Sequence, residues 1–208
     1  DFLPAKNEIA ELFGIIGRTG SNQSLEDMLV RFFERVGQLQ HMPDDVSRSR
    51  SWDWDNFKFV ATELFLTACA KLIRYEKFGT LNALLSAQYF VRGRHGGQGE
   101  LRPFTSLNYG LESFDFRNRR LGLNRLSLAA DLLKKRCEGS SLDLSELIQA
   151  DLFLYFRETA DSFLNSEPFT RSWRAQTLRA RKVQLPRDDF GRPNVLELLN
   201  AENVATKP

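Results

Sequence analysis

Arginines and glycines are the residues whose types and spacing come nearest to chemistry in this chain. Residues 92–99 read Arg-Gly-Arg-His-Gly-Gly-Gln-Gly, and Arg102 follows three positions later. Glycines let successive backbone amides converge on an anion, while flanking guanidinium groups fork onto its oxygens. Arg92, Arg94, His95 and Arg102 are therefore the candidate ligand-binding set, with a phosphate as the ligand type. The spacing departs from a nucleotide-binding loop, because no Lys-Ser/Thr pair follows the glycines. The competing reading is a connection whose charges stay solvated.

A second candidate set is defined by charge rather than by motif. The net charge of the 208 residues is +2, yet residues 91–136 carry ten Lys/Arg against four Asp/Glu, and 171–187 carry six against none. Between them, residues 137–170 hold seven acids and one base. Such blocks point to partners or to internal docking. On helices, Arg117, Arg120 and the group Lys134, Lys135, Arg136 would form basic faces, extended by Arg171, Arg174, Arg179, Arg181 and Lys182. These are the candidate residues for a protein partner or for nucleic acid. Phe114, Phe116 and Trp173 stand close enough in sequence to stack on bases. Two observations oppose the nucleic-acid reading: the sequence pI is about 8.6, below the range above 9 typical of a basic binding domain, and the acidic block is expected to pair with its basic neighbours.

Catalytic constellations are sparse. Arg35-Val-Gly-Gln-Leu-Gln-His41 is similar to the loose Arg-x4-6-His pattern of HEPN ribonucleases, in which the two side chains act on RNA at a dimer interface. That resemblance implies Arg35 and His41 as an alternative catalytic pair. Six residues along one continuous helix set them about 120° apart, so the pairing requires a break near Gly37. Against it stands a surface arginine followed by a histidine at a helix C-terminus, where the dipole favours a cation. Asp189-Phe-Gly191 copies a kinase triplet but lacks the other kinase signatures, and reads as a turn. No Gly-x-Ser-x-Gly elbow occurs, and two His with two Cys this far apart give no metal-ligand spacing. Asp44 and Asp45 follow Pro43 on a polar connection, where both carboxylates stay solvated. No cofactor and no metal site is expected, and the domain reads as more non-catalytic than enzymatic.

Helical periodicity dominates the elements that must hold these residues. A helix is expected over about 4–17. Ser24-Leu-Glu-Asp27 has the form of a capping box, and the following Leu25, Met28, Leu29, Phe32, Phe33, Val36 and Leu39 recur at three and four as one amphipathic stripe. A long helix over about 53–77, capped by Ser51 or Asp53, carries apolar residues all round its middle and is expected to lie at the centre. After a break at Phe78-Gly79-Thr80 a shorter helix runs through Leu81, Leu84, Leu85 and Tyr89. Residues 92–110, with five Gly and one Pro, read as a long Gly/Arg-rich loop with a little strand. Helices follow over about 115–137, with Leu121-Gly-Leu-Asn124 as a candidate interruption, and over about 144–160. Beyond Pro168 the pattern weakens into an irregular extension, with a short helix at Asn194–Ala201.

These elements define an all-α, multi-helix bundle of about six to seven helices, organised as a single domain. Seventeen Phe predict an aromatic core. The longest charge-poor run, Leu64 to Ala70, is far shorter than the roughly 20 apolar residues of a bilayer span, and the two cysteines read as reduced, buried thiols. A soluble, cytoplasmic module excised from a longer polypeptide is the expectation.

Two segments, Gln149-Ala-Asp-Leu-Phe-Leu-Tyr-Phe-Arg157 and Ser172-Trp-Arg-Ala-Gln-Thr-Leu178, resemble stretches in helical accessory domains of large bacterial proteins, some TIR-containing or otherwise defence-associated. Ala175 stands where those stretches carry a proline. The resemblance implies an accessory helical domain beside an effector or sensor domain, and carries no functional residue with it. The functional expectation is thus an interaction, sensing or assembly module that recognises an acidic or phosphate-bearing partner, with nucleic-acid binding as the alternative and a HEPN-like ribonuclease third.

Overall fold

The structure is a computed structural model that describes residues 3–20, 22–41, 50, 52–92, 98–107, 111–138 and 141–164. In chain order the elements are α1 (Leu3–Arg18), α2 (Gln23–Gln38), α3 (Asp55–Arg74), α4 (Phe78–Ser86), β1 (Tyr89–Val91), β2 (Glu100–Arg102), a 3-10 turn (Phe104–Leu107), α5 (Glu112–Arg120), α6 (Leu128–Cys137) and α7 (Leu144–Leu164). The fold is an all-α multi-helix bundle with, among the described residues, one two-stranded antiparallel sheet in which Phe90 pairs with Leu101.

The all-round apolar helix takes the central position that its pattern predicts. Every residue of α3 from Ala61 to Leu72 is buried, and α1, α2, α4 and α7 pack around it. A chain of rings runs through this core: Phe13 stacks on Phe33 at 5.8 Å, Phe33 meets Phe65 edge-on at 5.0 Å, and Phe65 stacks on Phe104 at 6.2 Å. Aromatic pairs at such spacings add to what area burial alone contributes, and here they tie α1, α2, α3 and the 3-10 turn together.

Several helix ends differ from expectation, each for a local reason. Asn22, not Ser24, caps α2, accepting a bond from the Leu25 amide at 2.8 Å. For α3 Asp53 does not serve, and Ser51 lies outside the described residues: the helix starts at Asp55 behind Trp54, and the Asp53 carboxylate turns back to the Arg50 amide at 2.8 Å. The break after α3 lies at residues 75–77. Glu76 adopts φ 55°, while Lys77 N donates to Leu72 O and Glu76 N to Ile73 O, a Schellman closure with glutamate at the position glycine prefers. α4 stops at Ser86, and Tyr89 opens β1, its hydroxyl donating to Leu84 O at 2.7 Å. That bond satisfies a terminal carbonyl that a longer helix would have used, and burial holds the Tyr89 phenol well above its ordinary pKa.

The segment expected as a long helix over 115–137 is two helices, broken where Leu121-Gly-Leu-Asn124 suggested. Within 92–110, residues 100–102 form β2 and 104–107 the 3-10 turn. The helix expected at 194–201 lies outside the described residues.

Candidate binding surface

The surface that best combines exposed cations with a fixed backbone is the corner between α5 and α6. α5 starts on Leu111, which offers no side-chain cap. Its cap comes from α3: Asp55 Oδ2 accepts the Ser113 amide at 2.7 Å, while Oδ1 holds Lys58 at 2.7 Å. A buried carboxylate far away in sequence thus serves an orphan amide at a helix start and fixes the direction of α5. Nothing in the local sequence of α5 signals this cap.

α5 ends in a second Schellman closure. Gly122, at φ 57°, donates to Arg119 O, and Leu123 N donates to Asn118 O. Asn124 follows with φ 48°. The Asn118 side chain then spans the loop, its Nδ2 donating to Arg125 O at 2.6 Å and its Oδ1 accepting Arg125 N at 3.1 Å. Ser127 caps α6 by accepting the Ala130 amide at 3.2 Å. The corner is therefore pinned at both helix ends and across its middle.

On this frame sit Arg117, Arg119, Arg120 and Arg125, all exposed. Arg125 pairs with Asp131 at 3.3 Å, and Arg119 Nε reaches the Asp115 carbonyl at 3.4 Å. Among the described residues Arg117 and Arg120 make no ion pair. Leu121, Leu123 and Leu126 are 49%, 41% and 71% exposed. Beside them Phe116 stacks on Trp52 at 6.0 Å and an interplanar angle of 8°, with the Arg50 guanidinium 5.5 Å from the Trp52 ring centre.

The other expected site residues are distributed differently. Arg102 bonds Glu100 through Nε at 2.7 Å and also through Nη2, which neutralises it. Arg92 is exposed at the end of β1 and engaged in a contact of its own. Gly99 lies under Phe90, whose ring would come within 2.1 Å of an added Cβ, so this glycine answers to hairpin packing rather than to an anion. Arg94 and His95 lie outside the described residues, as do Arg171, Arg174, Arg179, Arg181 and Lys182. Lys134 and Lys135 face outward, whereas Arg136 turns inward.

Arg35 and His41 are not brought into one cavity by the described residues. α2 passes through Gly37 unbroken to Gln38, and Gly37 serves packing, since an added Cβ would meet Leu107 Cδ2 at 2.9 Å. Arg35 lines a shallow groove of about 710 Å³ on the outer side of α2 with Arg31, Phe32 and Met28, and His41 is not among the described residues lining it.

The most charged interior cluster is built on α3. Glu63 takes Lys6 of α1 at 3.1 Å and Arg136 of α6 at 2.5 Å on separate oxygens, and Arg136 lies 4.8 Å above the Phe59 ring. Lys71 donates to Ser141 O at 2.8 Å, and Arg74 pairs with Glu146 of α7 at 2.7 Å. Next to Arg136, burial first and the Glu63 carboxylate second push the Cys137 thiol up, the opposite of nucleophile activation. Among the described residues no group of three His, Cys, Asp or Glu is arranged to hold a metal, and no helix is long and apolar enough to cross a membrane. This cluster clamps α1, α6 and α7 to the centre. Glu63 and Lys71 were its available signal, as ionisable residues inside an otherwise apolar run must find partners.

Comparison with protein families, with curated proteins and with solved structures finds no match to this chain.

Proposed function

We propose that this bundle is a non-catalytic interaction module that recognises an acidic partner through the arginines of the α5–α6 corner, within a larger protein of the defence-associated kind that the sequence resembles. The observation that carries the reading is the pairing of free cations with a fixed backbone: Arg117 and Arg120 have no ion-pair partner among the described residues, and the loop beside them is clamped twice by Asn118. A preorganised surface loses little entropy on binding. The same arginines are helix-favoured residues at the C-terminus of α5, but that role needs one cation, not three in four residues.

The exposed stack of Arg50, Trp52 and Phe116 favours a second reading, a platform for single-stranded nucleic acid. The two separate in titrations followed by anisotropy at ~50 mM salt, where electrostatic binding is strong. Labelled poly-glutamate binds under the first reading and is lost in R117E/R120E. Failure of poly-glutamate to bind, with a labelled single-stranded DNA bound instead, would sink it.

A further inference from the structure

We infer that the partner of the α5–α6 corner is an acidic amphipathic protein segment, its apolar side chains seated on Leu121, Leu123 and Leu126 and its carboxylates on Arg117 and Arg120. This rests on the interaction reading above and names the kind of partner that site takes. Three leucines within six residues leave the corner with Leu121 about half exposed and Leu126 mostly exposed. Isolated exposed leucines are ordinary, but an apolar group beside cations without ion pairs among the described residues has the anatomy of an interface. The left-handed Gly122 and Asn124, the Schellman closure and the Asn118 clamp hold these leucines out on a defined backbone. A floppy loop would let them fold back.

Charge decides the class of occupant. Arg125 is neutralised by Asp131, and the acids Glu112 and Asp115 belong to the first turn of α5, away from the loop. The cations left beside the leucines ask for carboxylates or phosphates. A phosphate backbone would satisfy them while pressing its charged groups onto leucines, which gain nothing from that contact. An acidic segment with apolar residues on one face satisfies both groups, the arginines by forked bonds to carboxylates and the leucines by burial.

The test uses the 208-residue chain and two labelled peptides, one alternating acidic residues with leucines and one with every leucine replaced by serine at the same charge. The leucine peptide is expected to bind about tenfold more tightly or better, the factor that follows from about 1.4 kcal/mol of apolar burial. Leu126→Ser should erase most of that difference without touching the serine peptide, and N118A should weaken the leucine peptide by loosening the loop while circular dichroism stays unchanged. Leu126 is largely in water already, so its replacement leaves the fold intact. Equal binding of both peptides, with Leu126→Ser silent, overturns this inference and leaves acidic recognition standing. Binding of neither peptide by a folded chain overturns both. Displacement of the leucine peptide by single-stranded DNA that Leu126→Ser does not alter also overturns it, in favour of the nucleic-acid reading.

Discussion

Replacing Glu63 by Gln removes the one carboxylate that a buried lysine and a part-buried arginine share. Its side chain is 4% exposed, that of Lys6 8% and that of Arg136 22%. At an effective dielectric near 20, contacts of 3.1 and 2.5 Å correspond to attractions of about 5 and 7 kcal/mol. Desolvation of three ions and repulsion between the two cations offset most of this. What remains on removing one partner of a buried pair is about 3–5 kcal/mol, because Lys6 stays buried and Arg136 part-buried without this counter-charge. Gln keeps the shape, and its oxygen can accept from one cation, but its amide then points donors at the other. The expected result in urea unfolding is a loss of about 3–5 kcal/mol with an unchanged slope, equivalent to a melting point lower by roughly 6–20 °C for a chain of this size. Lys6→Met should cost less than half as much, since Glu63 retains Arg136. Lys6→Met, Glu63→Leu and Arg136→Met together should recover most of the stability, as apolar replacement of a whole buried network is often neutral. A Glu63→Gln protein within about 1 kcal/mol of the parent, beyond the error of extrapolation, would refute the argument that α1 and α6 are clamped through this carboxylate.

Asp55→Ala uncaps α5 and removes the ion pair to Lys58, so a loss of about 1–3 kcal/mol is expected; hydrogen exchange should speed up selectively at the Ser113 amide, and uniform exchange across the chain would contradict the cap. Glu76→Gly should stabilise by about 0.5–1 kcal/mol, the relief of a left-handed backbone minus the added freedom of glycine when unfolded, read as a higher urea midpoint. With the Cys137 thiol pushed up, its reaction with a disulfide reagent should inflect above the ordinary thiol value of about 8.5, and Glu63→Gln should move that inflection down by removing the nearby negative charge. The sign for stability follows: the folded state holds this proton more tightly, so the Cys137 contribution is complete below about pH 8.5 and fades as pH rises through the folded value. Denaturation should expose both thiols to rapid reaction, since Cys69 is buried.

Helices were legible wherever one stripe of side chains met the core. The buried Leu29 and Phe33 of α2 and the all-round burial of α3 follow from residue spacing, because periodicity reports which face leaves water, although Met28 and Leu39 of the expected α2 stripe stay exposed. Chain reversals were less legible. Glu76 in a left-handed conformation, Tyr89 folding back onto Leu84 O, and Asp55 capping α5 from another helix all depend on partners distant in sequence or on backbone states the residue type disfavours. Local propensity cannot signal a cap supplied from α3 to α5, and Asp53, the better local candidate, bonds the Arg50 amide instead.

The candidate surface was legible in charge but not in orientation. Arg117, Arg120 and Arg136 belong to one basic block in sequence, yet they meet opposite fates. Arg136 occupies the last turn of α6 on the side that faces α3, where Glu63 awaits it. Arg117 and Arg120 lie on α5, a helix with no fully buried residue that reaches the core through Phe114, and both arginines stay exposed. The expectation that acidic 137–170 would neutralise its basic neighbours therefore needs refinement at its clearest members: Glu146 pairs with Arg74 and Arg136 with Glu63, both through the central helix. Block charge measures how many cations a segment owns; helix phase against the core decides which of them remain for a partner. By that criterion the α5–α6 corner, with its loop held by Asn118, is a part of the described surface that the core has not already used.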